Sequence, residues 1–154
     1  MHIYVHIEMT DILVNEASKI YTDILEVVSE RLSHLIRPYI TGKQGAQYRL
    51  LHYLNKTPME TMTNLGKVMY VPKQHMTKLV DSLITEGYVE RHNDPNDRRV
   101  ICVQITKEGQ KKLVNLRLQI KEKLSWHFKN YEPADLELLI ATAQNIIYLW
   151  KKYP

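Results

Sequence analysis

MTKLVDSLITEGYVERHNDPNDRRVICVQITKEG, residues 76–109, changes its period halfway along. Before Gly87 the apolar residues Met76, Leu79, Val80, Leu83 and Ile84 recur at the i, i+3, i+4, i+7, i+8 spacing of one helix face. After it the period falls to two. Ile101, Val103 and Ile105 share one face of an extended run, and Val100, Cys102 and Gln104 share the other. Gly87 stands where a helix end takes the left-handed conformation. NDPND, at 93–97, is built from turn residues, so the spacing predicts a β-hairpin turning at 94–97. A single hairpin is marginal alone and must pack on the helices around it. Arg98 and Arg99 stand at its tip, where turns are normally built from Gly, Asn, Asp, Pro and Ser.

Upstream, Ile3, Val5 and Ile7 alternate with His2, Tyr4 and His6, which predicts a short extended arm. Apolar residues from Ile12 to Ile36 then recur every three or four positions, a long helix over 10–37 that Thr10 or Asp11 caps and Pro38 stops. A second helix is expected over 44–55. A third is expected near 58–69, with Thr57 as N-cap, Pro58 at the first helical position and Glu60 completing a capping box. The helix of the quoted stretch starts at Pro72 and ends near Glu86. Downstream, Thr106 caps a helix over 107–130. Pro133 opens the last helix, striped by Leu136, Leu139, Ile140, Ala143, Ile146, Ile147 and Trp150. The expected fold class is mainly α with a small β-hairpin wing.

Two short helices joined by the tight MYVPK connection make a helix-turn-helix candidate, in which the second helix enters the DNA major groove. Lys73, Gln74, His75, Thr77 and Lys78 lie at its start or on its outward side. Gln pairs with adenine, Lys with guanine or phosphate, and His and Thr with either. A hairpin directly after such a helix is a wing, and its tip reaches the neighbouring minor groove, whose negative potential attracts Arg. Arg98 and Arg99 fit that place. Asp97 is close enough in sequence to hold an arginine fork, with Asp94 a second choice.

The quoted stretch resembles the MarR family of winged-helix transcription regulators. The matching pattern is T-[KR]-L-V-D-x-L, G-[YL]-V-x-R, D-x-x-D-R-R and a strand ending in [LI]-T-x-x-G, with spacing kept across more than thirty residues. The flanking layout of one long helix before and two after extends the likeness to nearly the whole chain. The resemblance implies a homodimer whose N- and C-terminal helices interlock. Residues 1–40 would then be an arm and dimerisation helix, 41–110 the winged helix-turn-helix and 111–154 the C-terminal dimerisation helices, in one compact domain. It maps DNA-facing positions onto Pro72, Lys73, Gln74, His75, Thr77 and Lys78. It sends Arg99, held by Asp97, into the minor groove and Arg98 to phosphate. It further implies repression from a pseudo-palindromic operator and release by a small aromatic or phenolic effector. The pocket would lie between dimer helices and winged helix, where Tyr21, His34, Arg37, Tyr39, Tyr48 and His52 supply polar groups. The chain departs from the pattern at PKQHMT, which is bulkier and more basic than the usual Ser- and Thr-rich start of the recognition helix, so the operator is not inherited by analogy.

Composition fits this reading. The 154 residues carry a net charge of +4, and the distribution is uneven: residues 1–40 hold three Lys/Arg against six Asp/Glu, residues 41–110 ten against seven, and residues 111–154 eight against four. A basic middle suits a polyanion. No apolar run reaches membrane-spanning length, and the start shows no basic segment followed by an apolar one, so neither a membrane span nor a signal peptide is expected. One cysteine suits a reducing compartment, and the expected location is the cytoplasm. Three rivals compete. An enzyme lacks a nucleophile elbow, a phosphate loop or an H-E-x-x-H, and no cofactor is expected. A metal or redox sensor of the same fold has His2, His6, His34 and His52 to draw on without zinc-like spacing, and Cys102 lies in the wing strand rather than near the N-terminus, where peroxide-sensing relatives carry it. A winged helix used for protein contact would bind without the steep salt dependence of phosphate contact.

Overall fold

A computed structural model describes the backbone of residues 2–57, 59–94 and 97–153, with side chains throughout except at residues 2–8 and 40. The elements are α1 (His2–Ile40), α2 (Gly42–Leu54), β1 (Glu60–Thr61), α3 (Met62–Val68), α4 (Lys73–Thr85), β2 (Val89–Asn93), β3 (Ile101–Ile105), α5 (Lys107–Phe128) and α6 (Pro133–Lys152). They form two compact units, one ending at Leu116 and the other beginning at Arg117.

In the first unit a three-stranded antiparallel sheet of order β1-β3-β2 lies against α2, α3 and α4. The wing register pairs Val89 with Ile105 and Asn93 with Ile101. One core joins these parts: Leu50, Leu51 and Leu54 of α2, Leu65 of α3, Met76, Val80 and Leu83 of α4, Val89, Val103 and Ile105 of the sheet, and Leu113 of α5. Removing one such side chain from water is worth about 1.5–3 kcal/mol, so this cluster is what holds the sheet to the helices. The strand alternation holds for Val103 and Ile105, but Ile101 is half out in solvent because the wing's far end runs past the helices. Cys102, on the opposite face, is buried instead.

Four local expectations are corrected. The extended arm is helical: α1 starts at His2, continuous with the amphipathic run behind it. Pro38 does not stop α1; it lies inside the last turn, where its fixed φ suits a helix and only one backbone bond is lost. Thr41 closes that turn, its N–H donating to the Arg37 carbonyl at 3.0 Å and its hydroxyl to the same oxygen at 2.8 Å. The third helix starts at Met62, not near 58; Thr61 is its N-cap, its hydroxyl accepting from the Asn64 N–H at 3.1 Å. Pro58 lies outside the described residues. Glu60 is no capping-box residue but a strand residue, paired with Val103. Its carboxylate accepts from the Thr61 N–H at 2.8 Å, the Asn64 amide at 2.8 Å and the Tyr53 hydroxyl at 3.1 Å. Burial pushes that carboxyl up, but these hydrogen bonds outweigh it and hold it below its ordinary range.

The predicted ends at Gly87, Thr106 and Pro133 stand. Gly87 has φ +76, Thr106 caps α5 by accepting from the Gly109 N–H at 3.0 Å, and Pro133 is the first residue of α6. In α1 the stripe residues Ile12, Leu13, Ile20, Ile24, Leu25 and Val28 are exposed, and α6 buries none of its residues. No helix among the described residues is long and apolar enough to cross a membrane.

Candidate nucleic-acid interface

The helix pair α3–α4 is set by its turn. Met69 ends α3, the Tyr70 N–H donates to Lys67 at 3.1 Å and the Val71 N–H to Gly66 at 3.0 Å. Tyr70 itself has φ 52, and Pro72 then precedes the first turn of α4 in an extended conformation. Because Met76, Val80 and Leu83 anchor one side of α4 with no exposure, the opposite side must face outward. Pro72, Lys73, Gln74, His75 and Lys78 are all exposed. Thr77 is half-buried and its hydroxyl donates to the Lys73 carbonyl at 3.0 Å, leaving its lone pairs outward for a donor. Five of the six expected contact residues are thus exposed at the start of α4.

The wing loop runs from Asp94 to Val100, longer than the expected turn at 94–97, of which the two middle positions lie outside the described residues. It is closed by the Asp94 N–H donating to Val100 at 2.9 Å and the Val100 N–H donating to Asp97 at 2.9 Å. Arg98 and Arg99 are exposed inside this closed loop. The Asp97 carboxylate accepts from the Arg99 backbone N–H at 2.9 Å. Asp97 therefore sets the main chain that carries the arginine, not its fork as the sequence suggested, because an Asx turn two residues long satisfies the carboxylate locally.

One ion pair ties the wing to α4, and Thr106 and Gly109 fasten the start of α5 to the turn that follows α4. Arg91 of β2 meets Asp81 of α4 at 2.7 Å. The Thr106 hydroxyl donates to the Gly87 carbonyl at 2.7 Å, and the Thr106 N–H to Tyr88 at 3.0 Å. Gly109 lies so close to Tyr88 that an added Cβ would stand 2.1 Å from its carbonyl oxygen. At the C-terminal end of α4, Glu86 accepts from Ser82 at 2.9 Å and Gln47 at 2.8 Å and pairs with Lys43 at 3.4 Å. Burial raises this carboxyl, and the three donors together bring it below its ordinary range. Sequence reading missed Asp81–Arg91 and the Lys43–Gln47–Glu86 cluster. Asp81 and Arg91 both stand in the motif quoted above, ten positions apart, and were legible as members of it but not as partners.

The six residues offered for an effector lie on α1 and α2. Tyr48 and His52 stack at 6.0 Å on α2, and Tyr21, His34, Arg37 and Tyr39 lie on α1. Three surface depressions are described: about 320 Å³ lined by Lys43, His75, Lys78, Leu79 and Ser82; about 290 Å³ at the α3–α4 turn; and about 560 Å³ along α5 from Lys107 to Asn115. None of the six lines any of these. Among the described residues no group of three His, Cys, Asp or Glu could hold a metal ion. Cys102 is buried, burial pushes its thiol up, and Asp94 at 3.8 Å adds to that, so it is kept as the un-nucleophilic thiol.

Comparison with known proteins meets this geometry. The MarR family profile matches residues 41–100, which run from α2 to the wing loop. The transcriptional repressor YetL of Bacillus subtilis is 26% identical over 117 residues, covering 73% of this chain and 70% of that protein. Wild-type MarR of Escherichia coli, in its apo crystal structure, has a TM-score of 0.66 at 22% identity, covering 81% of this chain and 94% of that one. A cysteine-to-serine variant of MarR complexed with operator DNA has a TM-score of 0.55 at 22% identity, covering 81% and 91%. From α2 to the wing loop the chain thus matches the MarR family profile, and its fold is that of MarR.

Proposed function

We propose that this chain is a sequence-specific double-stranded DNA-binding transcription regulator, not an enzyme, and that it acts in the cytoplasm as a homodimeric repressor on a pseudo-palindromic operator. The observation that carries the reading is the two-sidedness of α4. Met76, Val80 and Leu83 are wholly buried, while Lys73, Gln74, His75 and Lys78 stand exposed beside a wing loop bearing two exposed arginines. YetL, a repressor, and the operator complex of MarR support the same reading.

In this reading the first turns of α4 enter the major groove, with Lys73, Gln74, His75, Thr77 and Lys78 at base edges or phosphate and Pro72 against the backbone. Arg99 enters the minor groove and Arg98 meets phosphate. Residues 1–40 and 111–154 supply the dimer interface: the uncovered apolar stripes of α1 and α6 have the character of surfaces that another chain covers. Two α4 helices then sit about 34 Å apart, one turn of DNA. A small aromatic or phenolic effector that fits one spacing better than the other weakens DNA binding by its difference in affinity for the two states. Tyr21, His34, Arg37, Tyr39, Tyr48 and His52 are the residues offered for it.

Selection of bound sequences from random double-stranded DNA tests the reading. A palindromic consensus is expected. No enrichment would overturn it and favour a winged helix used for protein contact.

A further inference from the structure

Tyr70 is the residue whose placement the fold does not explain. Among the described residues it is the only non-glycine with positive φ. Its two hydrogen bonds, Tyr70 N–H to Lys67 and the following Val71 N–H to Gly66, are the two bonds of a Schellman helix end, with Tyr70 in the left-handed position. The chain makes the same motif at the end of α4. There the Gly87 N–H donates to Ile84, the Tyr88 N–H donates to Leu83, and the left-handed position is a glycine. A β-carbon in that conformation crowds the following carbonyl, and glycine avoids this at no steric cost. At Tyr70 the strain is accepted, and burial gives nothing back: the side chain is 95% exposed and its hydroxyl has no hydrogen-bond partner among the described residues.

A strained residue with no structural return points to a use outside the chain. The turn lies immediately before the first residues of α4, and three residues to either side stand Lys67 and Lys73, both exposed and both lining the same depression of about 290 Å³. When the start of α4 faces base edges, the turn that precedes it faces the sugar–phosphate chain at the groove's edge. Tyrosine suits that contact: it is rigid, and its hydroxyl donates to phosphate oxygen.

We infer that Tyr70 is a DNA-backbone contact, its hydroxyl donating to a phosphate that Lys67 and Lys73 flank, and that the strained turn is retained to hold it there. The inference rests on the proposed DNA-binding function, which it deepens by adding a positioning residue outside α4 and the wing.

The experiment uses the full chain and the DNA site it selects, with affinities measured by fluorescence anisotropy over a range of salt. Tyr70→Phe keeps ring and backbone and removes only the hydroxyl. Its affinity is expected to fall roughly ten- to a hundredfold, the scale of a lost hydrogen bond to a charged group. Its salt slope is expected to stay that of the parent, because a phenol displaces no counterion, whereas Lys67→Gln and Lys73→Gln each lower the slope by about one. Tyr70→Gly relieves the backbone, so its melting temperature is expected at or above the parent's while its affinity falls at least as far as that of Tyr70→Phe. Parent affinity in Tyr70→Phe overturns the inference. So does a Tyr70→Gly protein that melts lower and loses affinity in proportion, since that assigns the residue to the fold. A parent chain that selects no DNA overturns the underlying function instead, an outcome distinct from a parent and variants that bind equally.

Discussion

Arg99 and Gly109 have opposite kinds of importance. Arg99 is exposed on a loop whose main chain Asp97 fixes, and nothing in the core depends on its guanidinium. Arg99→Ala is therefore expected to leave the circular dichroism spectrum unchanged and to weaken operator binding by about 1–3 kcal/mol in a titration. Gly109 touches no DNA-facing group, yet a β-carbon there would meet the Tyr88 carbonyl oxygen at 2.1 Å and the Ile105 side chain at 2.8 Å. The nearest obstacle is backbone and cannot swing aside. Gly109→Ala is expected to cost at least about 1–3 kcal/mol in a urea titration, and DNA binding would suffer only through the fold. A urea midpoint equal to the parent's would contradict this packing. Residue types at such positions were readable from the sequence: Lys, Gln and His on the polar side of α4, and glycine in the T-x-x-G motif. What the sequence withholds is conformation. The φ of Tyr70 and the target of the Asp97 carboxylate depend on hydrogen bonds that only the closed turn defines.

Elements were legible in proportion to their length and period. Helices α4 and α6 and the pairing of β2 with β3 follow from apolar spacing, and Gly87, Thr106 and Pro133 punctuate them as expected. The start of α3 did not follow, because β1 is two residues long, has no period to read, and exists through its pairing with Val103 and Cys102, some forty positions on. That non-local pairing also turns Glu60 from a presumed cap into a hydrogen-bonded strand carboxylate. Glu60 and Glu86 make the same prediction at this scale. Both are held below the ordinary glutamate value of 4.5 in the folded chain, so the unfolded chain takes up protons first as pH falls. Their contribution to stability is full above that value and is lost as pH drops through the lower folded values. Urea midpoints measured between about pH 5 and pH 3 should therefore decline, and Glu60→Gln should decline less steeply over that window than the parent. Parallel curves would show that the three donors around Glu60 do not favour its charged form.

At the scale of the molecule, the long helices are where the single chain leaves apolar residues uncovered. α1 is 39 residues, about 60 Å of helix, with apolar residues in the open along much of it, and α6 buries nothing. An exposed face of that extent marks an interaction surface. Light scattering at micromolar concentration is expected to give twice the chain's 18.2 kDa, and the monomer mass would remove the two-half-site reading of the operator. Replacing Leu13 and Leu25 by glutamate should shift the particle towards the monomer and weaken operator binding far more than it alters the melting of the first unit's core, because neither residue belongs to that core. The stripe was visible in the sequence as periodicity; which residues it meets was not, since a period names a face but not its neighbour.

Tyr88 has a wider consequence. Its N–H is taken by Leu83 of α4, its carbonyl by Thr106 at the mouth of α5, and the backbone of α5 rests on that carbonyl at Gly109. The foot of α5 and the end of α4 thus meet at one residue, through the two peptide groups on either side of its α-carbon. A displacement of α5 at Gly109 is therefore expected to be felt first at Tyr88, the residue that closes the end of α4.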